Sequence, residues 1–158
     1  MRATTFLPFI LVMMLGPAVH GGSVFSHEAA PKACPPALTE GRLARVTAYW
    51  PGEDYYTNRR MSATGARLRL GYCAVDSRII PYGSVVQIAG LGNYLAVDTG
   101  TAVISRKAAR ESGHTRAERS AMVIDLFFPT RRAGELFSRE GPKFAMIAWS
   151  NGAVADGN

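Results

Sequence analysis

The stretch GYCAVDSRIIPYGSVVQIAGLGNYLAVD, residues 71–98, decides the fold of this chain. It reads as short apolar strands separated by two turns, Pro-Tyr-Gly at 81–83 and Gly-Leu-Gly at 90–92. Proline fixes φ in the first turn, and glycine permits a tight bend in both turns, so each turn can join two neighbouring strands. Closely spaced short strands with glycine-rich turns favour a small closed barrel over a doubly wound sheet, which needs more helices between its strands.

Further strands are predicted on both sides of this stretch. Residues 43–50 alternate and are rich in strand-forming residues, and residues 123–128 and 143–149 are largely apolar runs. Basic residues at alternate positions over 66–71 fit an edge strand or the solvated face of a strand. Six or seven short strands are expected, so the sequence predicts a mainly β fold.

The remaining regular structure is predicted to be short helices. Residues 99–122 are rich in Ala, Arg and Glu, which predicts one or two helices broken at Gly113. Thr130 is placed to cap another helix that ends at Gly141. A chain of 158 residues has room for one compact domain, which we place at 43–150.

The first 21 residues, 1–21, are predicted to be a secretory signal peptide. A basic start is followed by 14 uncharged, mostly apolar residues, 6–19, and then by small residues. This apolar run is shorter than the roughly 20 residues that span a bilayer. We therefore expect an exported protein of the periplasm or extracellular space, without stable membrane insertion after signal cleavage. A buried N-terminal helix or an uncleaved anchor is the alternative.

Residues 22–42, rich in Ala, Pro, Ser and His, are predicted to form an extended linker, and 151–158 a loose tail. The predicted mature chain contains two cysteines, Cys34 and Cys73. An even count in an exported protein permits one disulfide, and two free thiols are the alternative.

The formal net charge is +6, which favours a polyanionic partner such as an anionic cell-wall polymer. The cations are scattered, without the long Lys/Arg run of a nucleic-acid arm, so no nucleic-acid partner is predicted. The three histidines are isolated in sequence, and no phosphate-binding loop occurs. No metal and no cofactor are therefore predicted.

Three acids each follow a pair of apolar residues: Ala-Val-Asp76, Ala-Val-Asp98 and Val-Ile-Asp125. Burying an unpaired carboxylate costs several kcal/mol or shifts its pKa until the group is neutral. Each acid taken alone fits a turn residue at a strand end, accepting backbone hydrogen bonds. Three acids in similar settings suggest a site, and we take Asp98 and Asp125 together as its centre.

The two central acids have different surroundings. Asp98 precedes Thr99-Gly100, whose hydroxyl and backbone N–H groups can hold a carboxylate in its ionised form. Asp125 stands among apolar residues, where desolvation and a neighbouring charge raise the pKa of a carboxyl group. A protonated carboxyl beside an ionised one can protonate a leaving-group oxygen.

Hydroxyl and aromatic side chains near these acids suit the binding of a sugar. The candidates for substrate binding are Thr47, Tyr49, Thr64 and Thr99. Strand propensity and core packing explain such residues equally well one at a time.

The tripeptide Asp98-Thr99-Gly100 also looks like the active-site turn of aspartic proteases. A single copy in a chain of this size requires a homodimer. Nothing else in the sequence demands a dimer, so a monomer is expected.

Taken together, the pieces VTAYW (46–50), SATG (62–65), the run 71–100 and VIDLFFP (123–129) resemble the three-aspartate domain of bacterial cell-wall proteins. That domain is similar to the catalytic barrel of the membrane-bound lytic transglycosylase A family. The resemblance covers about 44–149. It implies a six-stranded double-psi β-barrel with short helical insertions.

The resemblance also implies a chemistry and residue roles. Asp125 is then the catalytic acid, Asp98 its close companion, and Asp76 the residue that orients the set. The implied reaction is lytic transglycosylation of peptidoglycan glycan strands. It cleaves the β-1,4 bond between N-acetylmuramic acid and N-acetylglucosamine and leaves a 1,6-anhydro end, with Asp125 acting first as acid and then as base.

The chain departs from the family pattern after Asp98. The segment 101–105, TAVIS, replaces a short glycine- and lysine-containing run, and 26 residues separate Asp98 from Asp125. Lys107 is only an approximate counterpart of the family lysine. This insertion can form a lid, extend the groove or be a solvated helix pair. A non-catalytic, expansin-like barrel that binds cell walls is therefore the alternative function.

Overall fold

The computed structural model describes residues 41–53 and 55–150, with only the backbone of Tyr55 and Tyr56. The predicted signal peptide, the C-terminal tail, most of the linker and Cys34 lie outside the described residues. The barrel begins at Arg42, one residue before the predicted domain boundary, and its last strand ends at Ser150.

Six strands close into one mixed barrel in the order β1-β5-β2-β4-β3-β6. The pairs β1–β5 and β2–β4 are parallel, and the other four pairs are antiparallel. The predicted small, mainly β barrel is confirmed. Its strands are β1 Arg42–Tyr49, β2 Tyr72–Ala74, β3 Val85–Ile88, β4 Gly92–Asp98, β5 Met122–Phe127 and β6 Phe144–Ser150.

Short helices occupy the connections. They are α1 Tyr55–Asn58, α2 Thr101–Ser105, α3 Lys107–Ser112, α4 Arg116–Ser120 and α5 Arg131–Glu140. The insertion between β4 and β5 therefore holds three helices, where one or two were expected. The additional break falls at Arg106, which adopts a left-handed conformation with φ of 53°. The expected break at Gly113 is confirmed, as is the cap of α5, where the Thr130 hydroxyl accepts from the N–H of Ala133.

The edge strand expected over 66–71 is wrong. This segment contributes only an isolated bridge between Met61 and Arg67. Leu68 is buried whereas Leu70 is 63% exposed, so the segment does not present a continuous apolar face to the barrel.

Alternation along β5 places Asp125. Ile124 and Leu126 are fully buried in the larger apolar cluster of the core. Val123 and Phe127 belong to a second cluster, which also contains Val103 and Ala109 of the insertion. Because successive side chains of a strand point to opposite faces, Asp125 shares the face of Val123 and Phe127.

Helix α5 fixes the end of β1 through a close contact. A Cβ atom on Gly134 would lie 2.1 Å from Cε3 of Trp50, so only glycine fits beneath the indole ring. Trp50, the residue directly after β1, is thereby packed against α5.

Candidate active site

A cavity of about 760 Å³ gathers polar side chains from the barrel strands, from the loops that follow β1 and α1, and from the start of the insertion after β4. Two of the three predicted acids, Asp98 and Asp125, line it. Asp76 is not among the lining residues. The wall includes Tyr49, Glu53, Thr57, Met61, Ser62, Ala63, Ala74, Asp98, Thr99, Gly100, Thr101, Ala102, Val103 and Asp125.

The carboxylate of Asp98 is held by three donors. Its Oδ1 accepts from the backbone N–H of Ala63 at 2.8 Å and of Thr99 at 2.9 Å. Its Oδ2 accepts from the Tyr49 hydroxyl at 2.9 Å. The predicted backbone donation after Asp98 is confirmed, but the Thr99 hydroxyl has no hydrogen-bond partner and is buried. These three hydrogen bonds therefore fix the orientation of the Asp98 carboxylate.

Asp125 is a partly buried carboxyl group whose Oδ1 is buried without a hydrogen-bond partner. Burial raises the pKa of Asp125 to about 7, and the nearby charges of Glu53 and Asp98 act in the same direction. The Thr47 hydroxyl and the Arg45 guanidinium act in the opposite direction on this pKa. Near neutral pH a large share of Asp125 is thus protonated and able to donate a proton.

The predicted sugar-binding residues fall in different places. Thr99 and Tyr49 line the cavity, but Tyr49 is only 6% exposed, and its ring packs edge-on against Phe127. Burial and the charge of Asp98 raise the Tyr49 pKa, so its hydroxyl stays a donor to Asp98. Thr47 lies beside Asp125 in the parallel register of β1 and β5. Thr64 is outside the lining, and its hydroxyl pairs with that of Ser62 at 2.9 Å.

Asp76 is bound to its own turn rather than to the other acids. Its carboxylate accepts from Nε of Arg78 at 2.8 Å, from Nη2 at 2.7 Å and from the Arg78 backbone N–H at 3.2 Å. These hydrogen bonds from Arg78 hold the pKa of Asp76 below its usual range. The backbone carbonyl of Asp76 accepts from Ile79 and Ile80. Asp76 thus has the contacts of a turn acid at a strand end.

Asp76→Asn is expected to weaken the fold slightly at neutral pH and to leave any activity of the cavity that holds Asp98 and Asp125 near the wild-type level. Because the folded-state pKa is lowered, the ionised Asp76 stabilises the fold above its ordinary pKa, and this contribution is lost as the pH falls. Urea unfolding at pH 7 and pH 3 should therefore show a gap between wild type and variant that narrows at pH 3. A large loss of activity in a folded Asp76→Asn protein would instead support the predicted orienting role.

Glu53 is a site residue that the sequence analysis missed. It lies in the turn after β1, is exposed, and lines the same cavity as Asp98 and Asp125. Its Oε2 accepts from the Trp50 backbone N–H at 3.4 Å. Glu53 reaches the cavity because β1 and β5 run parallel, so residues after β1 emerge at the edge where β5 ends. The polar sequence of this turn contains no signal of that pairing.

Among the described residues, no group of three or more His, Cys, Asp and Glu side chains is placed to hold a metal ion. Cys73 is buried and forms no disulfide with another described residue, and burial raises the pKa of its thiol to about 12. Its predicted disulfide partner, Cys34, lies outside the described residues, so that pairing stays a prediction.

The insertion forms part of the cavity wall. Thr101, Ala102 and Val103 of α2 line the cavity beside Asp98. No helix of the described residues is both long and apolar enough to span a bilayer.

A scan against protein-family models returned no match for the chain, and a search of curated proteins returned none either.

Proposed function

We propose that the protein is an exported lytic transglycosylase that cleaves the N-acetylmuramic acid–N-acetylglucosamine bond of peptidoglycan. The observation that carries this proposal is the pairing, in one cavity, of a carboxyl group with a pKa of about 7 and a carboxylate fixed by three donors. The resemblance to the three-aspartate domain and the closed six-stranded barrel support it.

The proposed mechanism uses Asp125 twice. Protonated Asp125 donates its proton to the glycosidic oxygen as the bond from C1 breaks. The resulting carboxylate then takes the proton of the sugar's C6 hydroxyl, and that oxygen closes on C1 to form the 1,6-anhydro ring. The negative charge of Asp98 stabilises the oxocarbenium-like transition state. No water enters this reaction.

The charge of the barrel fits an anionic polymer. Residues 41–150 contain 16 Lys and Arg against nine Asp and Glu. Cell-wall glycans with acidic peptide stems are attracted to such a surface. Peptidoglycan strands are therefore the proposed partner, and the barrel acts as a monomer.

Digestion of purified cell-wall sacculi by the mature protein tests the proposal. Muropeptides ending in 1,6-anhydro-N-acetylmuramic acid, identified by liquid chromatography and mass spectrometry, are expected. Wall binding without soluble product would favour the expansin-like alternative. Peptide cleavage that is fastest at acidic pH, by a dimer that forms as the protein concentration rises, would favour an aspartic protease. Against the protease stands the cavity itself, where Asp98 shares its site with Asp125 of the same chain.

Activity is expected to fall on the alkaline side of pH 7. Asp125 must be protonated to act as the acid, and its pKa is raised to about 7. The rate constant kcat/KM should therefore be level at lower pH within the range where the fold is intact. It should drop about tenfold per pH unit above pH 7. Initial rates of cleavage of soluble glycan fragments, measured between pH 5 and pH 9, show whether kcat/KM declines in this way. A flat profile through pH 9 would remove Asp125 as the acid.

A further inference from the structure

Among the described residues of the cavity wall, Glu53 is the carboxyl group that the proposed mechanism leaves without a role. The three carboxyl groups lining the described cavity are Glu53, Asp98 and Asp125. Asp98 already accepts three hydrogen bonds from the protein. Glu53 is exposed, whereas Asp125 is partly buried. The cavity therefore combines a partly buried carboxyl group, Asp125, with an exposed one, Glu53.

Glycoside hydrolases also use two carboxyl groups. One carboxylic acid protonates the leaving oxygen, and a second carboxylate activates water or attacks the sugar. An exposed carboxylate is in contact with solvent, so water reaches the cavity at the position of Glu53. The side chain is also tied to the protein, because Glu53 accepts from the N–H of Trp50, and Trp50 is wedged against Gly134.

We propose that Glu53 is a general base that activates water in this cavity, so that the same site also hydrolyses the glycosidic bond. The inference rests on the proposed function for the identity of the glycan. It adds a second acceptor, water, which competes with the C6 hydroxyl for C1 of N-acetylmuramic acid.

The hydrolytic step balances without any further reactant. The water oxygen bonds to C1 as the bond between C1 and the bridging oxygen breaks. Asp125 gives its proton to that departing oxygen, which becomes the hydroxyl of N-acetylglucosamine. The Glu53 carboxylate takes one proton of the water, and the other stays on the new C1 hydroxyl. The product is a reducing N-acetylmuramic acid end instead of a 1,6-anhydro end.

The test separates the two products on sacculi whose existing reducing ends have first been converted to alditols with borohydride. Wild-type mature protein is expected to generate both anhydro ends and new reducing ends. Glu53→Gln should lower the yield of new reducing ends by at least about 100-fold. The ratio of new reducing ends to anhydro ends should fall with it, and this ratio is the readout, because Glu53 also raises the pKa of Asp125, on which both products depend. Glu140→Gln, the same exchange at an exposed position at the end of α5, should match wild type in both products.

The outcomes distinguish this inference from the proposed function. New reducing ends that persist in Glu53→Gln, or their absence from the wild-type digest, overturn the inference alone. Reducing ends that disappear in Glu53→Gln, without any anhydro product from wild type, support the inference and overturn the transglycosylase assignment. No cleavage at all overturns both. If circular dichroism shows that Glu53→Gln does not fold, Glu53→Asp replaces it. The expected result is then a yield of new reducing ends between that of wild type and zero. A yield equal to that of wild type would contradict the inference.

Discussion

Asp125→Asn is expected to reduce glycan cleavage by at least about 1,000-fold while the barrel stays folded. The loss is large because the same carboxyl group serves as acid in the first step and as base in the second. Asparagine keeps the shape of the side chain but neither donates a proton from an acid nor accepts one as a carboxylate. Product release from sacculi, followed by mass spectrometry, measures the loss.

Thermodynamic stability provides an independent readout for the same variant. Because the pKa of Asp125 is raised in the folded state, the native protein holds a proton that the unfolded chain releases above its ordinary pKa near 4. Wild type therefore loses stability as the pH rises from about 4 to about 7. Asparagine resembles the protonated carboxyl group at every pH, so the variant does not lose stability in this pH range. Asp125→Asn should exceed wild type in unfolding free energy by roughly 2–4 kcal/mol at pH 7 and should lose this advantage near pH 4.

Urea unfolding of both proteins at pH 4, pH 5.5 and pH 7 measures this gap. A gap that does not widen with pH would contradict the raised pKa of Asp125. A folded Asp125→Asn protein that still cleaves at a tenth of the wild-type rate would contradict its role in both chemical steps.

Asp98→Ala is expected to destabilise the fold by roughly 2–5 kcal/mol, because three donors lose their acceptor at once. These donors are the N–H groups of Ala63 and Thr99 and the hydroxyl of Tyr49. Asp98→Asn should cost no more than about 1.5 kcal/mol, since its amide oxygen can accept from the two N–H groups and the Tyr49 hydroxyl can accept from its amide nitrogen. Urea unfolding at pH 7 of both variants against wild type measures the two losses.

Tyr49→Phe supplies the matched control for this contact. On its own it should destabilise the protein by about 1–2 kcal/mol, but in the Asp98→Ala background it should cost nothing further or restore stability, because it removes an orphaned buried hydroxyl. Equal losses from Asp98→Ala and Asp98→Asn, or additive losses in the double variant, would show that this hydrogen-bond set contributes little.

Local sequence predicted the small, mainly β barrel, and contacts outside the local pattern of the three acids explain how their environments differ. Asp76, Asp98 and Asp125 share one local pattern, an acid after two apolar residues. Their different environments depend on partners that the pattern does not contain: Tyr49 for Asp98, and Arg78 for Asp76. The Asp-Ser-Arg spacing at 76–78 was visible in sequence, but an ion pair within a turn has no sequence signature that separates it from a site.

Glu53 and the insertion show the same limit for topology. Glu53 belongs to the site because parallel pairing of β1 with β5 brings the ends of both strands to one edge. Composition indicated helices over 99–122, but the extra break at Arg106 depends on a left-handed residue that is not glycine. Such a conformation is uncommon outside glycine and is set by tertiary packing, so composition does not predict it.

The division of the cavity wall has a consequence for how such a protein can diversify. Asp98 and Asp125 lie on strands of the closed barrel, whereas Thr101–Ser105, which supplies the neighbouring wall, begins an insertion between those strands. Under the proposed function, replacing or shortening the insertion would reshape the entrance for peptide stems or sugar substituents without moving the proton donor. Exchange of this segment between related barrels would then be a route to altered substrate choice, visible as changes in KM at nearly constant kcat.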